Sequence, residues 1–341
     1  MKKRLAIIGG GLAGMISARV ARSSNRYSKI RVFEKASFIG GNWNPQQSTG
    51  ETGVYRDLKT NLPTILMGDP TFPWSNDWRT ESFPHHSEFR NYFQMYWNHM
   101  DEETRRSFRF ESPVENVFED DAGQYHVVTS NSETDEFDQI IVATGHFDRP
   151  FVPPPFQKIY EERRDKTVFH SKNWDEYRDR LDGRDVVLIG MGPSGVDLAG
   201  FLSKSARTLH WCHSSFDDLN TRDQSVKFWG QVDASNGTNN IRLSRKGESK
   251  TFYIANDLDK NNVALVFATG YRYNHDFLHP SLRPQRSTDG DMGGKSGIPT
   301  ENLACNYILR PNEVCFIGMA NVVVRFCLHI FCVVRGRFFF I

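Results

Sequence analysis

The chain has 341 residues, and a prior of about 150 residues per domain gives two domains, each large enough to bury its own core. Lysine and arginine number 42 against 41 aspartates and glutamates, and a net charge of +1 provides no strong field to attract nucleic acid or an anionic membrane. Hydrophobic residues at 38% and charged residues at 24% are typical of a globular protein. These values exclude a single small disulfide-stapled module and argue against a nucleic-acid partner.

The cysteines and the two chain ends predict a cytoplasmic protein. The cysteines form no CxxC pair, so we expect reduced thiols and neither a disulfide framework nor a metal site. They are Cys212, Cys305, Cys315, Cys327 and Cys332. The first residues run directly into an apolar strand and then into glycines, which is not the pattern of a signal peptide. Residues 322–341 have the length of a membrane span, but three arginines and a histidine interrupt them, so no membrane anchor is expected.

The first half of the chain predicts a βαβ unit followed by long loops and a meander. The predicted elements are, in chain order, a strand over 4–9, a helix over 12–24, a strand over 30–34, a helix near 87–99 and alternating runs around 108–114, 125–130 and 137–142. The region between Trp43 and Trp97 is rich in Pro, Asn, Asp and Gly, which is typical of functional loops. The three runs indicate an antiparallel meander that leads into a buried strand.

From Asp185 the opening pattern repeats. The predicted elements are a strand over 186–189, a helix to about 203, and strands over 208–212 and 263–267. Ala268-Thr269-Gly270 also repeats Ala143-Thr144-Gly145, and we expect each copy to mark a crossing between domains. The predicted fold is α/β, with two Rossmann-like dinucleotide-binding domains built on parallel sheets plus the antiparallel meander. Residues 1–150 and 265–341 form one domain, and residues 151–264 form a second domain inserted into it.

The first glycine turn reads Gly9-Gly10-Gly11-Leu12-Ala13-Gly14, a GxGxxG pattern between a strand and a helix. Gly9 allows the tight turn, Gly11 lets the backbone approach a pyrophosphate, and Gly14 permits close packing of helix on strand. The helix N-terminus adds a positive dipole end. Glu34 follows 20 residues after Gly14, at the end of the next strand, where a carboxylate accepts hydrogen bonds from a ribose. Together these features predict a bound dinucleotide.

The second glycine turn reads Gly190-Met191-Gly192-Pro193-Ser194-Gly195 and predicts a second dinucleotide site. Twenty residues beyond Gly195 lies Ser215, close to His213, and no acid stands at this strand end. The missing carboxylate favours the 2′-phosphate of NADP over NAD, with Arg207 or Arg222 as candidates to reach that phosphate. Two dinucleotide sites on one chain imply an electron path from a nicotinamide to a second redox cofactor, for which FAD is the usual choice.

With these motifs in order, the chain resembles the flavin-containing monooxygenases that oxygenate nitrogen and sulfur, over residues 5 to about 328. The motifs that carry the resemblance are the two fingerprints, Phe33-Glu34-Lys35, Ile39-Gly40-Gly41-Asn42-Trp43, Tyr55-Arg56-Asp57-Leu58-Lys59-Thr60-Asn61-Leu62-Pro63, Ala143-Thr144-Gly145-His146 and Phe267-Ala268-Thr269-Gly270-Tyr271. The resemblance implies FAD on the first fingerprint and NADPH on the second. The cofactor-binding residues it implies are Gly9, Gly11, Leu12, Ala13, Gly14, Glu34, Lys35, Gly41, Asn42, Trp43, Thr60, Asn61, Thr144, Gly145, Gly190, Gly192, Pro193, Ser194, Gly195 and His213.

The resemblance also implies a reaction. NADPH reduces FAD, O₂ adds to give a C4a-hydroperoxyflavin, and a soft nitrogen or sulfur centre of a small molecule takes up its distal oxygen. Asn61 is the candidate catalytic residue beside the flavin, because an amide donates and accepts hydrogen bonds without titrating. In the alternative, Asn61 holds the turn before Pro63. The substrate and the oligomeric state stay open, with a homodimer as one option.

The family's identifying motif, Phe-x-Gly-x-x-x-His-x-x-x-Tyr or Phe, is present only in part. His170 fits, but Arg164 and Lys166 take the aromatic and glycine positions and Trp174-Asp175 ends the motif. This ending resembles the Baeyer–Villiger monooxygenases, which act on ketones and form the enzymatic alternative.

Two further alternatives compete with a monooxygenase. A flavin disulfide reductase needs a cysteine pair near the flavin fingerprint, and the first cysteine is Cys212. Beyond Phe316-Ile317-Gly318-Met319 the chain departs from the family pattern, so the other alternative is a non-catalytic remnant that binds flavin poorly.

Overall fold

The computed structural model describes residues 1–44, 52–69, 71–74, 82–164, 167–216, 223–234, 240–253 and 262–283, together with short strands between 307 and 339. The helices are α1 Leu12–Ser23, α2 Thr64–Met67, α3 His86–His99, α4 Glu102–Arg106, α5 Gln157–Arg163, α6 Trp174–Tyr177 and α7 Pro193–Ser205. The strands are β1 Lys3–Ile8, β2 Tyr27–Phe33, β3 Phe108–Arg109, β4 Val114–Glu119, β5 Tyr125–Thr129, β6 Thr134–Phe137, β7 Gln139–Val142, β8 Arg149–Pro150, β9 Val168–His170, β10 Asp185–Ile189, β11 Thr208–Cys212, β12 Val226–Trp229, β13 Gln231–Ala234, β14 Asn240–Arg245, β15 Glu248–Tyr253, β16 Val263–Phe267, β17 Tyr271–Arg272, β18 Tyr307–Arg310, β19 Val314–Phe316, β20 Cys332–Val334 and β21 Arg337–Phe339.

The chain forms two compact units. Unit 1 comprises Met1–Ser48, Asp57–Asp148 and Tyr273–Ile341, and unit 2 comprises Thr49–Arg56 and Arg149–Arg272. Among the described residues, no helix combines the length and the apolar character needed to cross a membrane.

Unit 1 is built on a sheet with the strand order β18-β19-β7-β1-β2-β3. β1 lies between β2 and β7 and is parallel to both, and its residues Leu5 to Ile8 are buried. An apolar run buried on both faces is expected of a central parallel strand. Helix α1 and the aromatic residues of α3 cover one face of the sheet, and the antiparallel sheet β4-β5-β6 contributes to the core on the other.

Unit 2 repeats this plan. Its parallel sheet has the order β12-β11-β10-β16-β9, so β10 lies between β11 and β16 as β1 lies between β2 and β7. Helix α7 connects β10 to β11, and a second antiparallel sheet, β13-β14-β15, packs its buried residues into the same core. The predicted α/β class, with two Rossmann-like βαβ units, parallel sheets and an antiparallel meander, is confirmed.

The meander begins later than the sequence indicates. Its strands are β4, β5 and β6, whereas the run predicted around 108–114 supplies β3, which pairs in parallel with β2 in the main sheet. Pro113 separates the two, because proline lacks the N–H that a continuous strand would donate. The last part of the predicted run at 137–142 is β7, the parallel neighbour of β1.

The units divide shortly after each Ala-Thr-Gly repeat, after Asp148 and after Arg272. The second division differs from the predicted boundary at 264/265. That boundary would cut β16, which pairs with β10 and β9 within the unit 2 sheet. Residues 49–56 also group with unit 2, which the sequence did not suggest.

Several predictions for the C-terminal region and the cysteines fall outside the described residues. These are the predictions on residues 317–331 and on Cys305. Cys212 is a free thiol, and it is buried.

Candidate functional site

The glycine turn between β1 and α1 is shaped by close backbone contacts within unit 1. Gly9 has φ +106°, and a Cβ there would lie 2.5 Å from the carbonyl oxygen of Ala143. A Cβ on Gly14 would lie 1.9 Å from the carbonyl oxygen of Gly9. Neither position has room for a side chain, so the fold itself requires both glycines.

Gly11 differs from these two because a Cβ there would meet only Gly41, whose Cα would be 3.8 Å away. Gly11 is also the N-cap of α1, where no side chain caps the helix and no acid occupies the first turn. The first N–H groups of a helix need partners from outside it, and they attract anions. The turn and the first residues of α1, Leu12 and Ala13, therefore fit the pyrophosphate of a dinucleotide.

Glu34 directly follows β2 and is only 5% exposed. One carboxylate oxygen accepts a hydrogen bond from the Gly10 N–H at 2.6 Å, and the other accepts from the Ala36 N–H at 2.8 Å. Burial raises the pKa of Glu34, and these backbone hydrogen bonds oppose the rise. Each oxygen keeps a further lone pair, so the carboxylate can accept a ribose hydroxyl beside the glycine turn.

A short 3₁₀-helix, Gly41–Trp43, packs against the same turn. The Gly40 N–H donates to the Gly10 carbonyl at 3.0 Å. Trp43 lies edge-on to Phe89, with the ring centroids 4.7 Å apart. The structure thus brings this helix, including Asn42, to the predicted FAD turn.

Lys35 forms an exposed ion pair with Asp148. Its ammonium lies 3.5 Å from the Asp148 carboxylate, and the predicted cofactor contact has to compete with that partner.

The turn that carries Asn61 is held by its neighbour. The Thr60 hydroxyl donates to the Leu62 carbonyl at 2.9 Å, and the Thr60 N–H donates to the Pro84 carbonyl at 2.9 Å. Asn61 is exposed, and its amide hydrogen bonds to none of the described residues. Among the described residues, no hydrogen bond of the Asn61 side chain supports the alternative in which it holds the turn before Pro63. The role of Asn61 beside a flavin stays a prediction.

The Ala-Thr-Gly turn after β7 borders the first glycine turn. The Ala143 N–H donates to the Ile8 carbonyl at 2.8 Å, which sets the close approach of Ala143 to Gly9. Thr144 is exposed and Gly145 has φ +65°. Both predicted residues thus follow the strand next to β1, at the carboxyl end of the sheet.

The second glycine turn, in unit 2, has the same geometry. A Cβ on Gly190 would lie 2.3 Å from the Ala268 carbonyl oxygen, and one on Gly195 would lie 2.4 Å from the Gly190 carbonyl oxygen. A Cβ on Gly192 would meet nothing within 4 Å. Pro193 opens α7 without a side-chain cap, and proline suits this position because its missing N–H would have had no partner within the helix. This turn, with Ser194 in its first helical residues, also fits a pyrophosphate.

His213 follows β11, at the strand end where a ribose is expected. Its Nδ1 accepts the Ser215 N–H at 3.2 Å and lies 2.7 Å from the Ser215 hydroxyl. Residues 213–216 read His-Ser-Ser-Phe and include no acid. The imidazole is half-buried at this edge, where it can face a ligand on the second turn.

The prediction that Arg207 reaches a 2′-phosphate is wrong. Arg207 precedes β11, and its Nε lies 3.0 Å from the Asp185 carboxylate at the start of β10. The glycine turn lies at the other end of these strands, about 15 Å away at 3.3 Å per residue. Arg222, the other candidate, lies outside the described residues.

Comparison with known proteins decides the family. The family model of flavin-binding monooxygenase-like proteins matches residues 2–215. The chain belongs to this family. A thiol-specific monooxygenase of Saccharomyces cerevisiae is 26% identical over 97% of the chain and 77% of its own length. A dimethylaniline monooxygenase (N-oxide-forming) of Macaca mulatta is 31% identical over 60% of the chain, which spans only 39% of that protein.

A solved structure supports the fold of this flavin-binding monooxygenase-like chain. The Tmm protein from Pelagibacter sp. strain HTCC7211 superposes with a TM-score of 0.68, at 19% identity, over 94% of the chain and 71% of its own. At this identity the similarity concerns the fold alone.

The partial family motif around His170 has a structural role in unit 2. His170 ends β9 and is completely buried. Burial lowers its pKa to about 4, so the ring is neutral, and Nε2 donates to the Gly270 carbonyl at 2.9 Å while Nδ1 accepts the Lys172 N–H at 3.1 Å. Trp174 is also buried. The motif anchors the turn that follows β16, and Lys166 lies outside the described residues.

Two polar contacts of this flavin-binding monooxygenase-like chain had no signal in the sequence. The Tyr55 hydroxyl donates to the Asp197 carboxylate, and the Arg56 N–H donates to the Asp175 carboxylate at 2.7 Å. Tyr55 stood within a recognised motif, but no local pattern links it to a helix residue so far along the chain.

Proposed function

We propose that this chain is a flavoprotein monooxygenase that binds FAD in unit 1 and NADPH in unit 2. With O₂, it would oxygenate soft nitrogen or sulfur centres of small molecules. The observation that carries the proposal is the paired geometry at Gly11 and Gly192, which both stand at uncapped helix N-termini: a Cβ on Gly192 would meet nothing within 4 Å, and one on Gly11 would make only an ordinary contact with Gly41. Two such sites on one chain suit a hydride donor and a hydride acceptor.

The residues at the strand ends support which cofactor each unit takes. Glu34 offers a carboxylate to the hydroxyls of an unphosphorylated ribose next to Gly10. His213 and its two serines carry no negative charge that would repel a 2′-phosphate. We therefore assign FAD to the first turn and NADPH to the second.

The flavin, when bound, supplies the redox and oxygen chemistry, and the protein supplies binding and orientation. The N-termini of α1 and α7 hold the pyrophosphates, and Glu34 fixes a ribose. The Asn61 amide, exposed and hydrogen bonded to none of the described residues, can donate to or accept from the bound cofactors at any pH. The substrate class is supported by two relatives whose names describe a thiol-specific and an N-oxide-forming monooxygenase.

The test begins with the purified chain. We expect bound or readily incorporated FAD, anaerobic reduction of its absorbance faster with NADPH than with NADH, and an oxygenated product from a thiol, a thioether or a tertiary amine. The variant Gly192→Ala should keep its flavin and its fold but slow reduction by NADPH, because the new methyl occupies the approach of the pyrophosphate. A colourless protein that takes up no FAD would contradict the proposal and favour a non-catalytic remnant. Oxygen insertion into a ketone but not into the other substrates would favour the Baeyer–Villiger alternative.

A further inference from the structure

Residues 52–56 belong to unit 2, although the described chain on either side of this stretch belongs to unit 1. Thr52, Val54 and Tyr55 are buried. Three buried side chains on so short a segment indicate that it is packed into the fold and is not an exposed surface loop.

Two carboxylates hold the segment. Tyr55 donates its hydroxyl to Asp197, which lies in the second turn of α7, the helix whose N-terminus forms the proposed NADPH site. The Arg56 N–H donates to Asp175 in α6 at 2.7 Å. Hydrogen bonds to ionised acceptors are about twice as strong as those between neutral groups. Burial raises the pKa of Tyr55, so the phenol keeps its proton and remains the donor.

The segment ends close to the candidate catalytic residue. The chain leaves unit 2 at Arg56 and reaches Asn61 five residues later, a span of at most about 17 Å for extended backbone. The anchor of Tyr55 on α7 therefore limits where the Asn61 amide can lie.

From this arrangement we infer that Tyr55 and Asp197 are positioning residues, whose hydrogen bond holds residues 52–56, the start of the stretch that leads to Asn61, on the helix of the proposed NADPH site. The inference rests on the proposed function of the Gly192 turn and goes beyond it by naming two residues that hold the backbone leading to Asn61. Neither residue has to contact a cofactor, since both act through the backbone that leads to Asn61.

Limited trypsin digestion tests the anchor without any cofactor chemistry. Trypsin cleaves after Arg56 and after Lys59, and cleavage of a folded protein follows the population that opens locally. The variant Tyr55→Phe loses a hydrogen bond to a charged group, so a larger fraction of its molecules should be locally open. Its cleavage rate should therefore rise about tenfold. Asp197→Ala should behave in the same way, and Asp197→Asn, which keeps an acceptor oxygen, should restore part of the protection.

The matched control is Tyr27→Phe. It removes a tyrosine hydroxyl that donates to Gln139 at 2.9 Å, at the amino ends of β2 and β7. Its cleavage at Arg56 and Lys59 should match the wild type. Equal cleavage of Tyr55→Phe and wild type would overturn the anchor.

Steady-state kinetics on the FAD-loaded protein test the positioning. Tyr55→Phe should lower kcat severalfold while the KM for NADPH, the Kd for NADP⁺ and the flavin content stay within about twofold of the wild type. Faster cleavage with an unchanged kcat would overturn the positioning role. A protein that takes up no FAD would refute the proposed function, and with it the positioning of Asn61, whereas the digestion result still decides whether Tyr55 anchors the segment.

Discussion

The three glycines of each fingerprint are required for different physical reasons. In the first turn, Gly9 and Gly14 have no room for a Cβ, whereas a Cβ on Gly11 would make only an ordinary contact with Gly41. The same division holds for Gly190, Gly195 and Gly192 in the second turn. Two glycines therefore build the turn, and the middle one leaves space for the ligand.

This division predicts opposite phenotypes for two alanine variants. Gly11→Ala should fold normally, because its methyl makes only an ordinary contact with Gly41, but it should raise the Kd for FAD at least about tenfold by displacing hydrogen bonds to a charged phosphate. Gly14→Ala should unfold or melt at a much lower temperature, since its Cβ would overlap the Gly9 carbonyl. Circular dichroism melting of the apoprotein and flavin titration separate the two effects. Normal FAD binding by Gly11→Ala, or a folded Gly14→Ala of wild-type stability, would contradict this division.

The placement of residues was predictable where it depends on local spacing. The glycines and Glu34 follow fixed intervals along a strand, turn and helix, and the structure brings Glu34 to Gly10 as that spacing indicates. Arg207 was wrongly predicted to reach the 2′-phosphate because its charge was considered but the direction of its strand was not. Arg207 precedes β11 and pairs with Asp185, at the end of the sheet opposite the glycine turn. The contact of Tyr55 with Asp197 had no local signal at all.

At the scale of elements, a buried polar cluster ties α1 to α3 and to the loop at residue 69. The Asp69 carboxylate is fully buried and accepts hydrogen bonds from the Tyr96 hydroxyl at 2.7 Å, the Thr71 hydroxyl at 2.7 Å and Arg19 at 2.8 Å. Burial alone would raise the pKa of Asp69, but the hydrogen bonds from Thr71 and Tyr96 and the charge of Arg19 lower it. A lowered pKa in the folded state means that this stabilisation is fully present above the ordinary carboxyl pKa and is lost as pH falls below it.

The buried cluster around Asp69 should contribute more to the free energy of unfolding than a surface ion pair on the same helix does. Asp69→Asn should lower the free energy of unfolding by about 2 kcal/mol, because it leaves Arg19 and Tyr96 without a charged partner. The matched control is Glu103→Gln, which removes the partner of Arg22 on α1, a carboxylate that is 73% exposed, and should cost less than about 1 kcal/mol. Urea unfolding of both variants at pH 7 gives the comparison. Equal losses of unfolding free energy in the two variants would show that the buried cluster contributes no more to stability than the exposed ion pair.

At the scale of the whole molecule, one architecture occurs twice. Each unit places a glycine turn after a central parallel strand, and in each unit a neighbouring strand is followed by Ala-Thr-Gly, which begins at Ala143 and at Ala268. This repetition was predictable from the sequence because both copies keep the same local pattern of residues. The attachment of residues 52–56 to unit 2 and the division after Arg272 were not predictable from the sequence, because they depend on contacts between distant parts of the chain.

Unit 2 also buries two neutral histidines, which should make the molecule sensitive to acid. His170 donates to Gly270, and His210 accepts the Trp229 indole N–H at 3.0 Å and lies 3.3 Å from the Lys250 ammonium. Burial lowers the pKa of His170 to about 4, and burial together with Lys250 lowers that of His210 to about 3. Both rings bind a proton more tightly after unfolding, so their stabilisation is present above the unfolded pKa of 6.5 and declines as pH falls toward the folded values.

Each such histidine should reduce the free energy of unfolding by about 2 kcal/mol between pH 7 and pH 5. The variant His170→Gln keeps a donor for the Gly270 carbonyl but binds no proton, so its unfolding free energy should fall about 2 kcal/mol less than that of the wild type over this interval. Urea unfolding at pH 7, 6 and 5, followed by tryptophan fluorescence, measures the difference. His279→Gln, at an exposed histidine, controls for the loss of an imidazole. If wild type and His170→Gln lose stability in parallel, His170 is not a source of the acid sensitivity.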